Sequence, residues 1–256
     1  MIRVSSRAGL PTVFAAFLII AAVVIAPCRA RAAGGVSAGD DDEDSRLMVM
    51  ADFNHDGIAD IAEAVLPRDG SQAGILKVSL GEADGSFRLV SSSAVLGRAP
   101  RAIVAGDFDG DGIPDLMVGD DNGTLTLFRG DGTGSFARAG DVAQLDSVSS
   151  IAVADFDRDG REDIAVSDSR GGVVTIFMGA GKGSFRRGWS FRLRMPGSAA
   201  QVSAADFNGD GIPDLAVIYS DEDQYAFDVM LGDGKGVFVH SPELSYARDP
   251  NSHCPA

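Results

Sequence analysis

The sequence has little of what several other architectures need. Two cysteines, one tryptophan and three tyrosines in 256 residues cannot build a disulfide framework or a tyrosine-rich surface. Basic residues are also scarce, because 22 Lys and Arg stand against 37 Asp and Glu, a formal net charge of −15. Binding nucleic acid needs a basic surface, so we expect no nucleic-acid partner. After residue 46 no long amphipathic pattern with a helical period occurs, so long helices are not expected.

The first 32 residues have the pattern of an export signal. Two arginines precede an apolar run over 10–26, and small residues then form an A-x-A pattern that ends at Ala32. This order predicts a signal peptide over 1–32 and a secreted or otherwise extracytoplasmic protein, periplasmic or at the cell surface. An uncleaved anchor is the alternative, and only then would the chain contact a membrane. A third interpretation makes Cys28 a lipid-attachment site.

Cleavage would leave a very acidic chain. It removes four of the 22 basic residues and none of the 37 acidic ones, which changes the net charge from −15 to −19. Residues 33–46 contain glycines and an acidic run, and they are predicted to be a flexible acidic linker. Residues 247–256 are predicted to be a polar tail. Cys254 is then the one remaining cysteine, so stability must come from something other than an intramolecular disulfide.

The chain between these segments is built from an internal repeat. A nine-residue phrase, D-F-(D/N)-x-D-G-x-x-D, occurs at 52–60, 107–115, 155–163 and 206–214. We call these segments the first to fourth acidic loops. A glycine-rich phrase follows each copy in register, as D-G-S-F, G-T-G-S-F, G-K-G-S-F and G-K-G-V-F. Self-similarity at a spacing of about fifty residues is the signature of a repeat architecture.

Short β-rich runs separated by Gly and Asp turns lie between these phrases, such as 103–105 and 116–118 around the second loop. Each repeat therefore holds about four antiparallel strands, the size of one propeller blade. We predict an all-β fold, a β-propeller of four blades. A closed ring is favoured because an open stack would expose two sheet faces, but an open stack or a partial ring that closes by association is the alternative. The repeats cover 47–246, with blades at about 47–97, 98–145, 146–197 and 198–246.

Each acidic loop carries the oxygen atoms of a metal site. In the second loop, Asp107, Asp109 and Asp111 occupy positions 1, 3 and 5, Gly112 allows a tight turn, and Asp115 ends the loop at position 9. The carbonyl of position 7 can add a ligand, and oxygen-only ligation favours Ca²⁺ over zinc or copper. A helix–loop–helix calcium site does not fit, because position 12 of this loop is Val118 rather than glutamate and a strand pattern follows. The alternative is a solvated acidic turn without metal.

The phrase also resembles a known family. D-F-x-x-D-G-x-x-D followed by an apolar strand is similar to the FG-GAP repeat of the integrin α-subunit propeller and to the VCBS-type repeats of bacterial exported proteins. The resemblance implies a β-propeller whose hairpin loops hold Ca²⁺, in families of adhesion receptors, lectins and non-catalytic parts of exported enzymes. Integrin-type propellers usually have seven blades, and this chain has four repeats.

The resemblance implies up to four Ca²⁺ ions, with the following ligands. The first site would use Asp52, Asn54, Asp56, the Ile58 carbonyl and Asp60. The second would use Asp107, Asp109, Asp111, the Ile113 carbonyl and Asp115. The third would use Asp155, Asp157, Asp159, the Arg161 carbonyl and Asp163. The fourth would use Asp206, Asn208, Asp210, the Ile212 carbonyl and Asp214. Separately, the phenylalanine at position 2 is predicted to anchor each hairpin in the core.

No constellation of residues indicates catalysis. The three histidines, His55, His240 and His253, are not accompanied by a nucleophile-elbow motif. No P-loop, dinucleotide fingerprint or zinc-protease motif is present either, so we predict no catalytic residues, no organic cofactor and no enzyme activity.

One segment departs from the repeat pattern. It is basic and aromatic in an otherwise acidic chain, and Arg and Trp are common anchors of interfaces, although an edge strand whose arginines balance nearby aspartates is the alternative. The predicted contact residues are Arg187, Trp189, Phe191, Arg192 and Arg194. The sequence thus predicts an exported calcium-binding module for a protein or glycan ligand. The alternatives are a structural propeller that assembles with other chains, or an exported enzyme with an unrecognised site.

Overall fold

The computed structural model of the chain describes residues 45–66, 73–193, 199–220 and 225–247. The regular structure in these residues consists of sixteen β-strands. The predicted signal peptide, the predicted linker up to residue 44 and the predicted tail after residue 247 lie outside the described residues. In the described part of the chain, no helix has the length and hydrophobicity needed to cross a bilayer.

The strands form four separate sheets. The first contains β1 (Ser45–Ala51), β2 (Asp60–Leu66), β3 (Ala73–Gly81) and β4 (Phe87–Arg98). The second contains β5 (Pro100–Gly106), β6 (Asp115–Asp120), β7 (Thr124–Gly130) and β8 (Phe136–Gln144). The third contains β9 (Ser150–Ala154), β10 (Asp163–Asp168), β11 (Val173–Gly181) and β12 (Ser184–Arg192). The fourth contains β13 (Ala199–Ala205), β14 (Asp214–Ser220), β15 (Tyr225–Gly232) and β16 (Phe238–Ala247).

Every sheet is an antiparallel meander in which neighbours in sequence are neighbours in space. An acidic loop joins the first strand to the second, and a glycine-rich phrase joins the third strand to the fourth. The register places Asp115 opposite Gly106 in the second sheet, so the hairpin closes at the ends of the loop. The prediction of an all-β fold with four antiparallel four-stranded units is therefore confirmed.

The middle sheets are covered on both faces. Every residue of β6 and of β10 is buried. Because side chains alternate between the faces of a strand, a doubly covered strand needs apolar residues at successive positions. This explains the near-continuous apolar runs after Asp115 and Asp163, whereas the outer strands β8 and β12 are mostly exposed or half-buried.

Successive sheets pack face to face. We call the face that packs on the following sheet the trailing face, and the face that packs on the preceding sheet the leading face. We call the interface between two successive sheets a joint. Each of the three joints contains one buried apolar cluster. At each joint the phenylalanine of an acidic loop packs edge to face on the phenylalanine that ends the glycine-rich phrase of the following sheet. The pairs are Phe53–Phe136 at 5.2 Å, Phe108–Phe185 at 5.8 Å and Phe156–Phe238 at 5.3 Å between ring centroids.

The four sheets form an open, propeller-like series. The inner strands β1, β5, β9 and β13 pack one on the next, whereas within the described residues β13 has no comparable packing on β1. The closed ring favoured from the sequence is therefore not observed within one chain. The fourth loop phenylalanine shows the consequence: Phe53, Phe108 and Phe156 are 1%, 3% and 0% exposed, but Phe207 is 41% exposed. The prediction that position 2 anchors the core is wrong for Phe207, because no following sheet covers it.

Candidate metal centres

The backbone of each acidic loop turns twice through the left-handed region. Position 4 has positive φ in all four loops, but it is glycine only in the second and fourth; in the first and third it is His55 (60°) and Arg158 (61°). Side chains disfavour this conformation, so the first and third loops contain backbone strain that the other two avoid. Position 6 is always glycine, with φ of 83° at Gly57, 87° at Gly112, 85° at Gly160 and 80° at Gly211.

Backbone N–H groups fix the aspartates at positions 1, 3 and 5. In the second loop, Asp107 Oδ1 accepts the N–H of Asp111 at 3.1 Å and Asp107 Oδ2 accepts that of Gly112 at 2.9 Å. Asp109 Oδ1 accepts the Asp111 N–H at 3.2 Å, and Asp111 Oδ1 accepts the Ile113 N–H at 2.8 Å. The same bonds recur in the other three loops. The four loops therefore share one pattern of hydrogen bonds between backbone N–H groups and the side-chain oxygens at positions 1, 3 and 5.

The aspartate at position 9 has a structural role that its spacing does not reveal. Asp60 is fully buried, and its Oδ2 accepts the Phe53 N–H at 2.8 Å while its Oδ1 accepts the Gly81 N–H at 2.8 Å. These two bonds tie the start of the acidic loop to the end of the third strand. Asp115, Asp163 and Asp214 are equally buried and make the same pair of bonds.

The glycine that donates to position 9 was not singled out from the sequence. It is the last residue of β3, β7 and β15, as Gly81, Gly130 and Gly232, and in β11 it is Gly179, two residues before the end of the strand. A Cβ atom at Gly179 would lie 2.4 Å from the carbonyl oxygen of Glu162, at position 8 of the third loop. The other three glycines would meet the position-8 carbonyl at 2.3 to 2.4 Å. The recurrence of glycine two or three residues before each glycine-rich phrase was the available signal for this close approach.

Carboxylate oxygens converge in the second and third loops. One oxygen from each of Asp107, Asp109 and Asp115 lies within 4.8 Å of the others, and so do oxygens of Asp155, Asp157 and Asp159. Two oxygens bound to one Ca²⁺ at about 2.4 Å can be at most about 4.8 Å apart, so this spacing is compatible with a shared ion. The donors in both groups are hard oxygens, which suits Ca²⁺ rather than zinc.

The pKa values of several loop aspartates are raised, because burial and neighbouring negative charges oppose ionisation. Burial raises the pKa of Asp115 to about 6, although the N–H donors act in the opposite direction. Burial raises the pKa of Asp163 to about 6 in the same way. The pKa of Asp157 is raised first by burial and then by the charge of Asp159. A bound cation would reverse these shifts, because it favours the ionised form.

Arginine side chains reach both clusters. Arg129 Nε lies 3.1 Å from Asp109 Oδ2 in the second loop. In the third loop the Arg161 guanidinium contacts Asp159, and Arg161 Nε also donates to the Gly179 carbonyl at 2.9 Å. Arg161 stands where the other loops have isoleucine, so the third loop carries a competitor for its own cation site.

The first and fourth loops have asparagine at position 3. Asn54 Nδ2 donates to Asp56 Oδ2 at 2.9 Å, and Asn208 Nδ2 donates to Asp210 Oδ2 at 2.9 Å. These loops carry one charge fewer than the second, and their side-chain oxygens keep the same backbone bonds. In the fourth loop, N–H donors, led by that of Gly211, lower the pKa of Asp206.

A glutamate at position 8 of the third loop lies between two sheets. Burial raises the pKa of Glu162 to about 7, and the charges of Asp107 and Asp115 in the second sheet raise it further. Its Oε2 is buried without a hydrogen-bond partner among the described residues. Position 8 is alanine or proline in the other loops, so this carboxylate is peculiar to the joint between the second and third sheets.

The basic and aromatic segment forms most of β12. Trp189 is half-buried, and its ring lies 5.1 Å from Phe191 and 5.6 Å from Phe238 of the fourth sheet. Trp189 and Phe191 thus help to fill the joint between the third and fourth sheets. Arg187 and Arg192 are exposed, and Arg187 donates to Thr175 Oγ1 at 3.4 Å. Arg194, also a predicted contact, lies outside the described residues.

Three further carboxylates are buried where the sequence drew no attention. Asp120 accepts the N–H groups of Asn122 at 3.0 Å and Thr124 at 2.8 Å, which shapes the turn after β6. Asp168 accepts the Gly171 N–H at 2.7 Å in the equivalent turn after β10, and also the Ser147 N–H at 3.1 Å from the connection before β9. Asp228 accepts the Tyr219 hydroxyl at 3.0 Å and lies 3.1 Å from His240 Nε2, inside the fourth sheet. These groups satisfy backbone and side-chain donors, as buried carboxylates must.

The fold and the loops define a class: a series of four-stranded, propeller-like sheets in which an acidic hairpin loop joins the first two strands of each. Comparison with family models matches the FG-GAP-like repeat at residues 52–118, 107–166 and 163–217, which together span more than half of the chain. The chain belongs to the FG-GAP-like repeat family. No curated protein matches it in sequence.

Proposed function

We propose that the chain is an exported, non-catalytic binding module whose acidic loops bind Ca²⁺, up to one ion in each loop. The observation that carries the proposal is the convergence of Asp107, Asp109 and Asp115 in the second loop, with oxygens within 4.8 Å of one another. Three carboxylates at this spacing repel one another unless a cation neutralises them. Membership of the FG-GAP-like repeat family supports a binding role for the whole.

Calcium would act on stability as well as on charge. An ion that binds only the folded chain shifts the unfolding equilibrium toward the folded state. Four divalent ions would also offset eight negative charges in a chain whose formal net charge is −15. We therefore expect a higher melting temperature in millimolar Ca²⁺ than in a chelator, measured by calorimetry, together with bound calcium in the purified protein.

The site assignment is tested with a charge-matched pair of double variants. D107N with D109N removes two carboxylates from the second loop, and isothermal titration should show the loss of one binding site. D84N with D233N is the control that removes the same number of charges, because Asp84 and Asp233 lie at glycine-rich phrases, where they accept the Ser86 and Lys235 N–H groups, and belong to no carboxylate cluster of the described residues. Equal calcium binding by both variants and the parent chain would rule out the second loop as a site.

The partner is proposed to be a protein or a glycan that contacts the exposed arginines of β12. Arg187 and Arg192 are exposed in a chain of strong opposite charge, which supports an acidic ligand. R187E with R192E should abolish capture of an acidic ligand from a glycan array or a surface extract, while R101E, an exposed charge reversal on β5, should not. Unchanged capture by the double variant would exclude this surface. A structural role in assembly with other chains is the second candidate, favoured by the uncovered end sheets.

A further inference from the structure

Within the described residues, large exposed apolar side chains lie in the two end sheets. Ten large apolar side chains are exposed within the described residues, and all of them belong to the first or the fourth sheet. The middle sheets, which have a neighbour on each face, have none. The exposed residues are Met48, Met50, Phe87, Leu89, Phe207, Ile218, Phe227, Val237, Val239 and Leu244.

The fourth sheet exposes its trailing face. Phe207, Ile218 and Val239 are 41%, 47% and 65% exposed. Phe207, Ile218 and Leu244 line one shallow apolar depression of about 360 Å³. In the other three sheets the residue equivalent to Phe207 is covered by the sheet that follows. The fourth sheet therefore presents one uncovered half of a joint.

The first sheet exposes the other half, on its leading face. Phe87 ends the glycine-rich phrase, in the position of Phe136, Phe185 and Phe238, and it is 50% exposed. The glycine two residues before it gives an independent sign. A Cβ atom on Gly134 or Gly183 would contact the preceding sheet at 3.0 or 2.7 Å, but nothing lies within 4 Å of such an atom on Gly85.

Each uncovered face also has a polar residue at a position where the covered faces of the first joint have an apolar one. Within the first joint, Val49 of the trailing face and Val118 of the leading face lie in the same buried cluster. By register, the equivalent of Val49 in the fourth sheet is Ser203, and the equivalent of Val118 in the first sheet is Glu63. Each of the two uncovered faces therefore has a polar residue at a position that the first joint fills with valine.

We propose that the occupant of each face is a second copy of this chain, joined head to tail. The trailing face of one fourth sheet would pack on the leading face of the partner's first sheet and repeat the joint that each chain already makes three times. A joint between two different faces closes only if its rotation returns to the start. Two such joints would close eight sheets into a ring, which is within the range of known propellers. Closure also removes both exposed apolar faces.

Light scattering on the purified chain tests the proposal, with Phe87→Asp, Phe207→Asp and the control Ala137→Asp. We expect a mass of two chains for the parent chain and for the control, since Ala137 is exposed on β8, away from both faces. Either phenylalanine variant alone should give monomers with unchanged circular dichroism, because both side chains are already exposed in a single chain.

Mixing the two monomeric variants tests whether the chains join head to tail. The Phe207→Asp chain keeps an intact first sheet and the Phe87→Asp chain keeps an intact fourth sheet, so the mixture should form a pair through one native joint. A pair lost in Phe207→Asp but kept in Phe87→Asp would indicate like faces in contact and would overturn the proposal. A parent chain that stays monomeric at 100 μM, a concentration on the order of weak protein interfaces, would overturn it as well.

Discussion

At the scale of single residues, the aspartates of one loop have different roles. Asp60 bonds two buried backbone N–H groups, so Asp60→Ala should lower the free energy of unfolding by about 2 to 4 kcal/mol, with each orphaned donor costing ~1–2 kcal/mol. Urea unfolding should show this loss in chelator as well as in calcium. By contrast, Asp109→Asn keeps an acceptor for the Asp111 N–H. It should lose only the part of the unfolding free energy that depends on calcium. A loss for Asp60→Ala that vanishes in chelator would contradict the structural role.

Arg161 should weaken the binding of an ion by the third loop. Replacing this residue with isoleucine, which stands at the same position in the other loops, removes a cation that contacts Asp159. A unit charge about 4 Å away contributes about 1 kcal/mol in water, so Arg161→Ile should lower the dissociation constant of this loop about fivefold. The amide signal of Gly160 during a calcium titration reports on this loop alone. High salt should shrink the difference, and an unchanged constant at low salt would show that Arg161 does not compete.

The sequence predicted the type of ligand in the loops, but it did not predict which carboxylate oxygens bond to backbone N–H groups. Oxygen donors at odd positions and a glycine at position 6 were readable, because a tight turn and hard ligands need those residue types. The two backbone bonds of Asp115 were not readable, since a carboxylate can face an ion or an N–H group from the same position. Its membership of the ligand set therefore stays a prediction, as does calcium itself.

At the scale of elements, the joints depend on glycines with no room beside them. Gly134 and Gly85 have nearly the same φ, 83° and 84°, but only Gly134 faces a neighbouring sheet, with Leu80 3.0 Å from a Cβ atom. Gly134→Ala and Gly85→Ala pay the same backbone cost of about 1 kcal/mol. The first should also disturb the joint and lose more stability in thermal unfolding. Equal losses would mean that the joint absorbs a methyl group without cost.

The joint between the second and third sheets should also respond to pH. The pKa of Glu162 is about 7 in the folded chain, above the ordinary 4.5. The folded state therefore holds a proton that the unfolded state has released, so its stability falls as pH rises from about 4.5 to about 7. In chelator, Glu162→Gln should remove this part of the decline and gain stability relative to the parent chain at pH 7.5, but not at pH 4. Parallel stability curves for both proteins would contradict the assignment.

Sequence patterns located the strands and hairpins but not the pairing of sheets. Turn residues and apolar runs mark each hairpin locally, so the four-stranded units could be predicted. Ring closure depends on the angle between successive sheets, which arises from packing over many side chains and leaves no local pattern. The exposure of Phe207 could likewise not be foreseen, because its loop is the same as three others whose phenylalanine is buried.

At the scale of the whole molecule, stability should be unequal along the chain. The second and third sheets are covered on both faces, and β6 and β10 are buried throughout. The end sheets have one neighbour each, and in a repeat array each unit draws stability from its neighbours. Hydrogen exchange should therefore be slowest in β6 and β10 and faster in β2 and β14, because opening an end sheet breaks one joint while opening a middle sheet breaks two.

The same measurement separates a lone chain from a joined pair. Dilution should speed exchange in β2 and β14 of the parent chain, since dissociation uncovers one face of each end sheet, but should leave β6 and β10 unchanged. In the Phe207→Asp chain, hydrogen exchange in β2 and β14 should be fast at every protein concentration. Equal exchange in all four sheets of the monomeric Phe207→Asp chain would mean that the array unfolds as one cooperative unit and that its ends are no weaker than its middle. The exposed phenylalanines would then be tolerated surface residues, because a joint missing at each end would have cost the fold nothing.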